Sequence, residues 1–141
     1  MNPQYRSATI NDYDAMLHLW KSTPGMGLGG ADSHEGIQRI LERNPGLSTV
    51  AEIERTIVGT ALCSQDGRRG FIYHLAVDAP YQKRGIGRAL VDSSLELFRQ
   101  EGITCASVVV YASNKEGREF WSRLGWRLRD DVVMFSTDLL P

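Results

Sequence analysis

The chain has 141 residues, within the usual size of one domain, and folding buries roughly two thirds of its unfolded surface, enough for one sizeable core. Its 16 Lys and Arg against 17 Asp and Glu leave a formal net charge of −1, which excludes a chain-wide pull toward nucleic acid or an anionic membrane, so any positive site is local. The longest apolar runs, such as 71–77 and 108–110, fall well short of the roughly 20 residues of a membrane span.

Residues 1–10 are mixed and polar, without the basic start and apolar stretch of a secretory signal, and a cytoplasmic location is the expectation. Asn11 is placed as an N-cap, after which Tyr13, Met16, Leu17 and Trp20 recur at helical spacing up to Ser22. Residues 23–31 (TPGMGLGGA) form a glycine-rich loop. Asp32 with Glu35 three residues on has the capping-box pattern and opens a second helix through Ile37, Ile40 and Leu41, which Asn44-Pro45-Gly46 stops.

From Ser48 the period changes to two, and 49–53, 56–64 and 70–77 read as strands of an antiparallel meander, the last two joined through Asp66-Gly67. The first join, Glu54-Arg55, lacks the glycine or asparagine that a tight hairpin prefers. A third helix runs from Gly85 to Glu101, with Ile86, Leu90, Val91, Leu95, Leu97 and Phe98 as the stripe that packs on the sheet and Gly102 as its stop. Residues 103–111 are another β-branched run. Ser113 with Glu116 caps a fourth helix whose Gly117, Phe120, Trp121 and Leu124 share one face until Gly125 ends it. Segments 126–129 and 132–137 close the chain as two more strands, the last suited to pairing across a homodimer. The succession predicts one α+β (mixed α/β) domain over residues 1–141, without internal repeat or linker. Cys63 and Cys105 lie far apart with no CxxC pairing, so neither a disulfide framework nor a metal site is expected, and both read as small buried apolar side chains.

Chemistry concentrates in residues 71–90, FIYHLAVDAPYQKRGIGRAL, where a buried strand feeds a turn and the turn feeds a helix. A helix start exposes unpaired N–H groups and a positive dipole end, and both favour phosphate. Gly85 and Gly87 let an oxygen approach the backbone directly, while Lys83, Arg84 and Arg88 add cationic donors suited to a pyrophosphate. The plainer account is that Gly-Ile-Gly only starts a helix and the basic residues are solvated surface. Two other phosphate motifs are excluded. No GxxxxGK followed by Ser or Thr exists, and a Rossmann fingerprint fails because 78–84 intervene between the strand and Gly85, with Leu90 in place of the third glycine.

Gln82-Lys83-Arg84-Gly85-Ile86-Gly87, preceded by a strand ending Leu75-Ala76-Val77, resembles the Q/R-x-x-G-x-G/A motif of the GNAT superfamily of N-acetyltransferases. Asn114, Gly117, Phe120, Trp121, Leu124, Gly125 and Trp126 resemble the family's second signature at matching spacing. The resemblance implies a mostly antiparallel sheet of six to seven strands, its fourth and fifth splaying apart, flanked by about four helices. It implies acetyl-coenzyme A as co-substrate, and no metal. The backbone of Leu75 and Val77, beside Ala76, would hydrogen-bond the pantetheine arm; the N–H groups from Lys83 through Ile86 to Arg88 would take the pyrophosphate; Asn114 would bind the pantetheine; and a strand N–H would polarise the thioester carbonyl.

The family often places a tyrosine at the position of Trp121, where its hydroxyl protonates the departing thiolate. An indole N–H is no practical acid near neutral pH, so Trp121 is left to shape the pocket. Phe71 and Val109 occupy the two places where family members often keep an acidic base. The candidates that remain are His74, which has the right intrinsic chemistry for a base, and Tyr73 and Tyr111 as donors to the thiolate. Strand alternation sends Tyr73 and His74 to opposite faces, so one of them at most faces the gap. A cysteine relay is disfavoured because neither thiol has a local His or acid partner.

In the family the segment joining the first two helices walls the acceptor site. Here Asp32 or Glu35 is expected to attract a cationic amine, the plainer account being that both merely cap the second helix. The expected activity is transfer of an acetyl group to a primary amine of a small molecule or peptide by direct attack in a ternary complex. The alternative is a non-catalytic acyl-coenzyme A-binding or regulatory module.

Overall fold

The computed structural model describes residues 2–140, and the chain divides into two compact units on either side of the Val109–Val110 bond. In the first unit, strands β1 (Gln4–Ser7), β2 (Thr49–Ile53), β3 (Thr56–Gln65), β4 (Gly70–Val77) and β5 (Ala106–Val108) form one sheet in sequence order. The first three pairings are antiparallel and β4 with β5 is parallel. Helix α1 (Tyr13–Lys21) and helix α2 (His34–Arg43) follow β1, and helix α3 (Ile86–Gln100) joins β4 to β5.

The central strands β2 and β3 are buried on both faces. On one, Tyr13, Met16, Leu19 and Trp20 of α1 and Ile37 of α2 pack with Val50, Leu62 and Ala76. On the other, α3 approaches so closely that a Cβ added to Gly70 would stand 2.7 Å from the Phe98 ring and one added to Gly59 would stand 3.0 Å from Leu90. These two glycines mark where a side chain is forbidden by the packing of α3, which is why they interrupt otherwise β-prone runs. At the sheet's outer edge, Arg6 hydrogen-bonds both oxygens of Asp12 at 2.8 Å and Glu52 at 2.6 Å. The Arg6 guanidinium holds the Asp12 carboxyl below its ordinary range.

Several expectations are corrected. Among the described residues the sheet has five strands, not six to seven. Among the described residues, segments 126–129 and 132–137 join no strand ladder, and Phe135 is 92% exposed. A period-two, β-branched run reports only that a strand is allowed; a ladder also needs a partner. The expected strand 103–111 contracts to its central three residues for the same reason. Each proposed N-cap lies one residue off: Asp12 rather than Asn11, Ser33 rather than Asp32, and Asn114 rather than Ser113. Glu54 and Arg55 do form a two-residue hairpin turn, with Ile53 opposite Thr56, but both adopt left-handed backbone, φ 51° and 67°. Cys63 is buried as expected, whereas Cys105 is exposed.

The second unit contains helix α4 (Lys115–Arg123), opened by Asn114, whose side chain accepts from the Gly117 N–H at 3.0 Å. A Cβ at Gly117 would come within 2.6 Å of the Asn114 amide, so cap and glycine are matched.

Candidate functional site

Strand β4 changes character halfway along. Gly70, Phe71 and Ile72 pair with β3 on one side and with β5 on the other. Beyond Ile72, β5 has ended, and the β3 register shifts: Leu62 faces Tyr73 and Thr60 faces Ala76, so Ala61 alone opposes both His74 and Leu75. This is a β-bulge, which re-aims side chains and bends the strand. His74 takes φ 46°, a left-handed conformation that costs a non-glycine residue about 1 kcal/mol. The Thr60 hydroxyl fixes it by donating to the His74 carbonyl at 2.8 Å and accepting from Trp20 Nε1 at 2.9 Å.

The bulge overturns the expected alternation. Tyr73 lies opposite Leu62, a member of the core beneath α1, and the His74 ring lies 4.6 Å from that of Trp20 in the same core. Both side chains therefore share one face. The exposed Tyr73 ring stacks on Phe71 at 6.1 Å.

The open half of β4 also presents its backbone. The Asp78 N–H donates to Val58 on β3 at 2.8 Å, so by alternation Val77 and Leu75 turn their N–H and C=O groups away from β3, toward the edge that β5 leaves free. Ala76 instead faces Thr60 and sends its methyl group into the core. The Val77 carbonyl accepts from Gln82 Nε2 at 2.9 Å, which ties the turn to this edge.

That turn leads into α3. Lys83 (φ 62°) and Gly85 (φ 85°) both adopt left-handed backbone just before the helix. No side chain caps α3, and its first internal bond runs from the Ala89 N–H to the Gly85 carbonyl, leaving the N–H groups of Ile86, Gly87 and Arg88 without a helical acceptor. Lys83, Arg84 and Arg88 are exposed around this opening, with the Arg84 guanidinium 5.4 Å above the Tyr81 ring. Free donors, a helix dipole and three cations fit a diphosphate.

On the α1 face, His74 Nε2 lies 2.5 Å from Asp32 Oδ1, although 42 residues separate them. The other Asp32 oxygen accepts from the Gly29 N–H at 2.9 Å, and the Asp32 carbonyl accepts from the Tyr13 hydroxyl at 2.7 Å. The expected cap of α2 is thus bound elsewhere. Glu35, by contrast, is solvent-facing and reaches only Arg39 at 3.3 Å. The pairing of His74 with Asp32 escaped the sequence because it depends on the bulge, whose only local trace is a histidine where a β-branched residue would suit a strand better.

Tyr111, Asn114 and Trp121 belong to the second unit. Tyr111 is exposed, and Trp121 is buried between Phe120 at 5.3 Å and Trp126 at 4.5 Å. Burial pushes the Cys63 thiol up to about 11, which makes it a poor nucleophile. Among the described residues no group of three His, Cys, Asp or Glu could hold a metal, and no helix is long and apolar enough to cross a membrane.

Residues 13–126 match the model of the acetyltransferase (GNAT) family. An acetyltransferase of Sodalis glossinidius is 26% identical over 130 residues, covering 92% of this chain and 91% of that one. Among solved structures, Ard1 from Thermoplasma volcanium superposes with a TM-score of 0.81 at 19% identity, covering 92% of this chain and 85% of its own. The PaiA N-acetyltransferase from Thermoplasma acidophilum, solved in complex with coenzyme A, superposes with a TM-score of 0.79 at 18% identity, covering 92% of each chain.

Proposed function

Because the chain belongs to the acetyltransferase (GNAT) family, we propose that it moves an acetyl group from acetyl-coenzyme A to a primary amine of a small molecule or peptide, by direct attack in a ternary complex. The observation that carries this reading is the continuity of the open β4 edge with the uncapped start of α3. Backbone donors from Lys83 to Arg88 hold the pyrophosphate. Leu75 and Val77 hydrogen-bond the pantetheine arm as an added strand would. The bound thioester supplies the acyl group, and a β4 N–H polarises its carbonyl.

An amine arriving as ammonium must lose a proton before it attacks. His74 is the base, and Tyr73 is the donor to the departing thiolate. The family match, which runs through both compact units, supports a single transferase domain over the whole chain. The exposed thiol of Cys105 suits the reducing cytoplasm, and the exposed apolar run at Val132, Val133, Met134 and Phe135 supports a homodimer closed through that segment.

Calorimetric titration with acetyl-coenzyme A, together with release of free coenzyme A over a panel of primary amines, tests the reading. Saturable heat and amine-dependent release are expected. Heat without release from any amine would identify a non-catalytic acyl-coenzyme A-binding module instead.

A further inference from the structure

We infer that Asp32 is a positioning residue for His74, holding the imidazole in the tautomer protonated at Nε2 so that Nδ1 is the nitrogen that takes the acceptor's proton. This rests on the acetyl-transfer reading above. The contact is 2.5 Å, and each side chain is only 13% exposed. A carboxylate can only accept, so the ring nitrogen facing it donates, and in a neutral imidazole the other nitrogen then carries the lone pair.

The rest of the surroundings fix this pair rather than compete with it. Asp32 is anchored through the Gly29 N–H and the Tyr13 hydroxyl, and the ring lies against Trp20. The His74 backbone is held in its left-handed conformation by Thr60. Base, orienting carboxylate and a rigid shell are the arrangement that acid–base chemistry needs. With both Asp32 oxygens engaged, the carboxylate serves the ring rather than the amine.

In the step, Nδ1 takes one proton from the ammonium, and Asp32 stabilises the imidazolium that forms. The freed nitrogen forms the C–N bond as the C–S bond breaks. The electron pair leaves on sulfur, which takes the Tyr73 hydroxyl proton as the free thiol; the second nitrogen proton restores that hydroxyl, and Nδ1 then returns the first proton to water.

Ring 15N spectra of the protein without co-substrate test the tautomer with no variant at all: Nε2 protonated is expected, and Nδ1 protonated overturns the inference. In steady state, His74→Gln should lower kcat roughly 100-fold and Asp32→Asn roughly tenfold or more, with the amine KM and the acetyl-coenzyme A Kd held within about twofold. The double variant should be no slower than His74→Gln alone, because Asp32 acts only through the ring. Full kcat in Asp32→Asn, or additive losses in the double variant, overturns the inference while acetyl transfer stands. A wild-type protein that releases no coenzyme A with any amine overturns both.

Discussion

The two halves of β4 differ in what their backbone is for. Gly70 to Ile72 lies between two strands, its outward groups already bonded, as in the 2.9 Å bond from the Gly70 N–H to the Cys105 carbonyl. Tyr73 to Val77 has β3 on one side only, and its other edge runs into the cationic start of α3. One extra residue separates the two regimes. The bulge at His74 and Leu75 bends the strand where β5 stops and brings two consecutive side chains onto one face. A single element thereby provides both a rigid core layer and an edge with free donors. Substitutions in the first half should change stability and leave binding alone; substitutions at the turn and helix start that follow the second half should do the reverse.

The largest effect is expected from Gly87→Glu, which places a carboxylate against the diphosphate cradle. Calorimetry should show acetyl-coenzyme A affinity reduced at least roughly 100-fold, with the circular dichroism spectrum retained. Gly70→Ala tests the other half. Its methyl group would meet the Phe98 ring at 2.7 Å, so urea unfolding should show a loss of about 2 kcal/mol with cofactor affinity unchanged. Thr60→Val sits at the divide, removing the acceptor for Trp20 and the donor to His74. A stability loss of about 1–2 kcal/mol is expected, accompanied by a lower kcat because the bulge is released. The smallest effect lies away from β4. Replacing Glu54-Arg55 by Asn-Gly should raise stability by about 1 kcal/mol in thermal unfolding, since both residues now hold left-handed backbone, without altering cofactor affinity.

The two sites were unequally legible in the sequence. The cradle is local: Gln82 to Arg88 carries its own turn, helix start and cations within seven consecutive residues, so order and spacing suffice. The meander and both helix-stopping glycines, Gly102 and Gly125, are legible for the same reason, each adopting positive φ where a helix ends. The pairing of His74 with Asp32 is non-local and depends on a bulge that alternation cannot foresee. Asp32 had a sufficient local explanation as a cap, yet Ser33 takes that role and accepts from the Gly36 N–H at 3.1 Å, freeing the carboxylate for the ring. The final segments carry the right residues for strands, but pairing is decided by a partner and not by propensity.

The central claim is that the open edge of β4 receives the pantetheine arm, and amide hydrogen exchange reads it residue by residue. On saturation with acetyl-coenzyme A, exchange at Leu75 and Val77 should slow at least roughly tenfold, while Ile72, already bonded within the sheet, stays unchanged. Saturable binding with no added protection at Leu75 and Val77 would contradict the account.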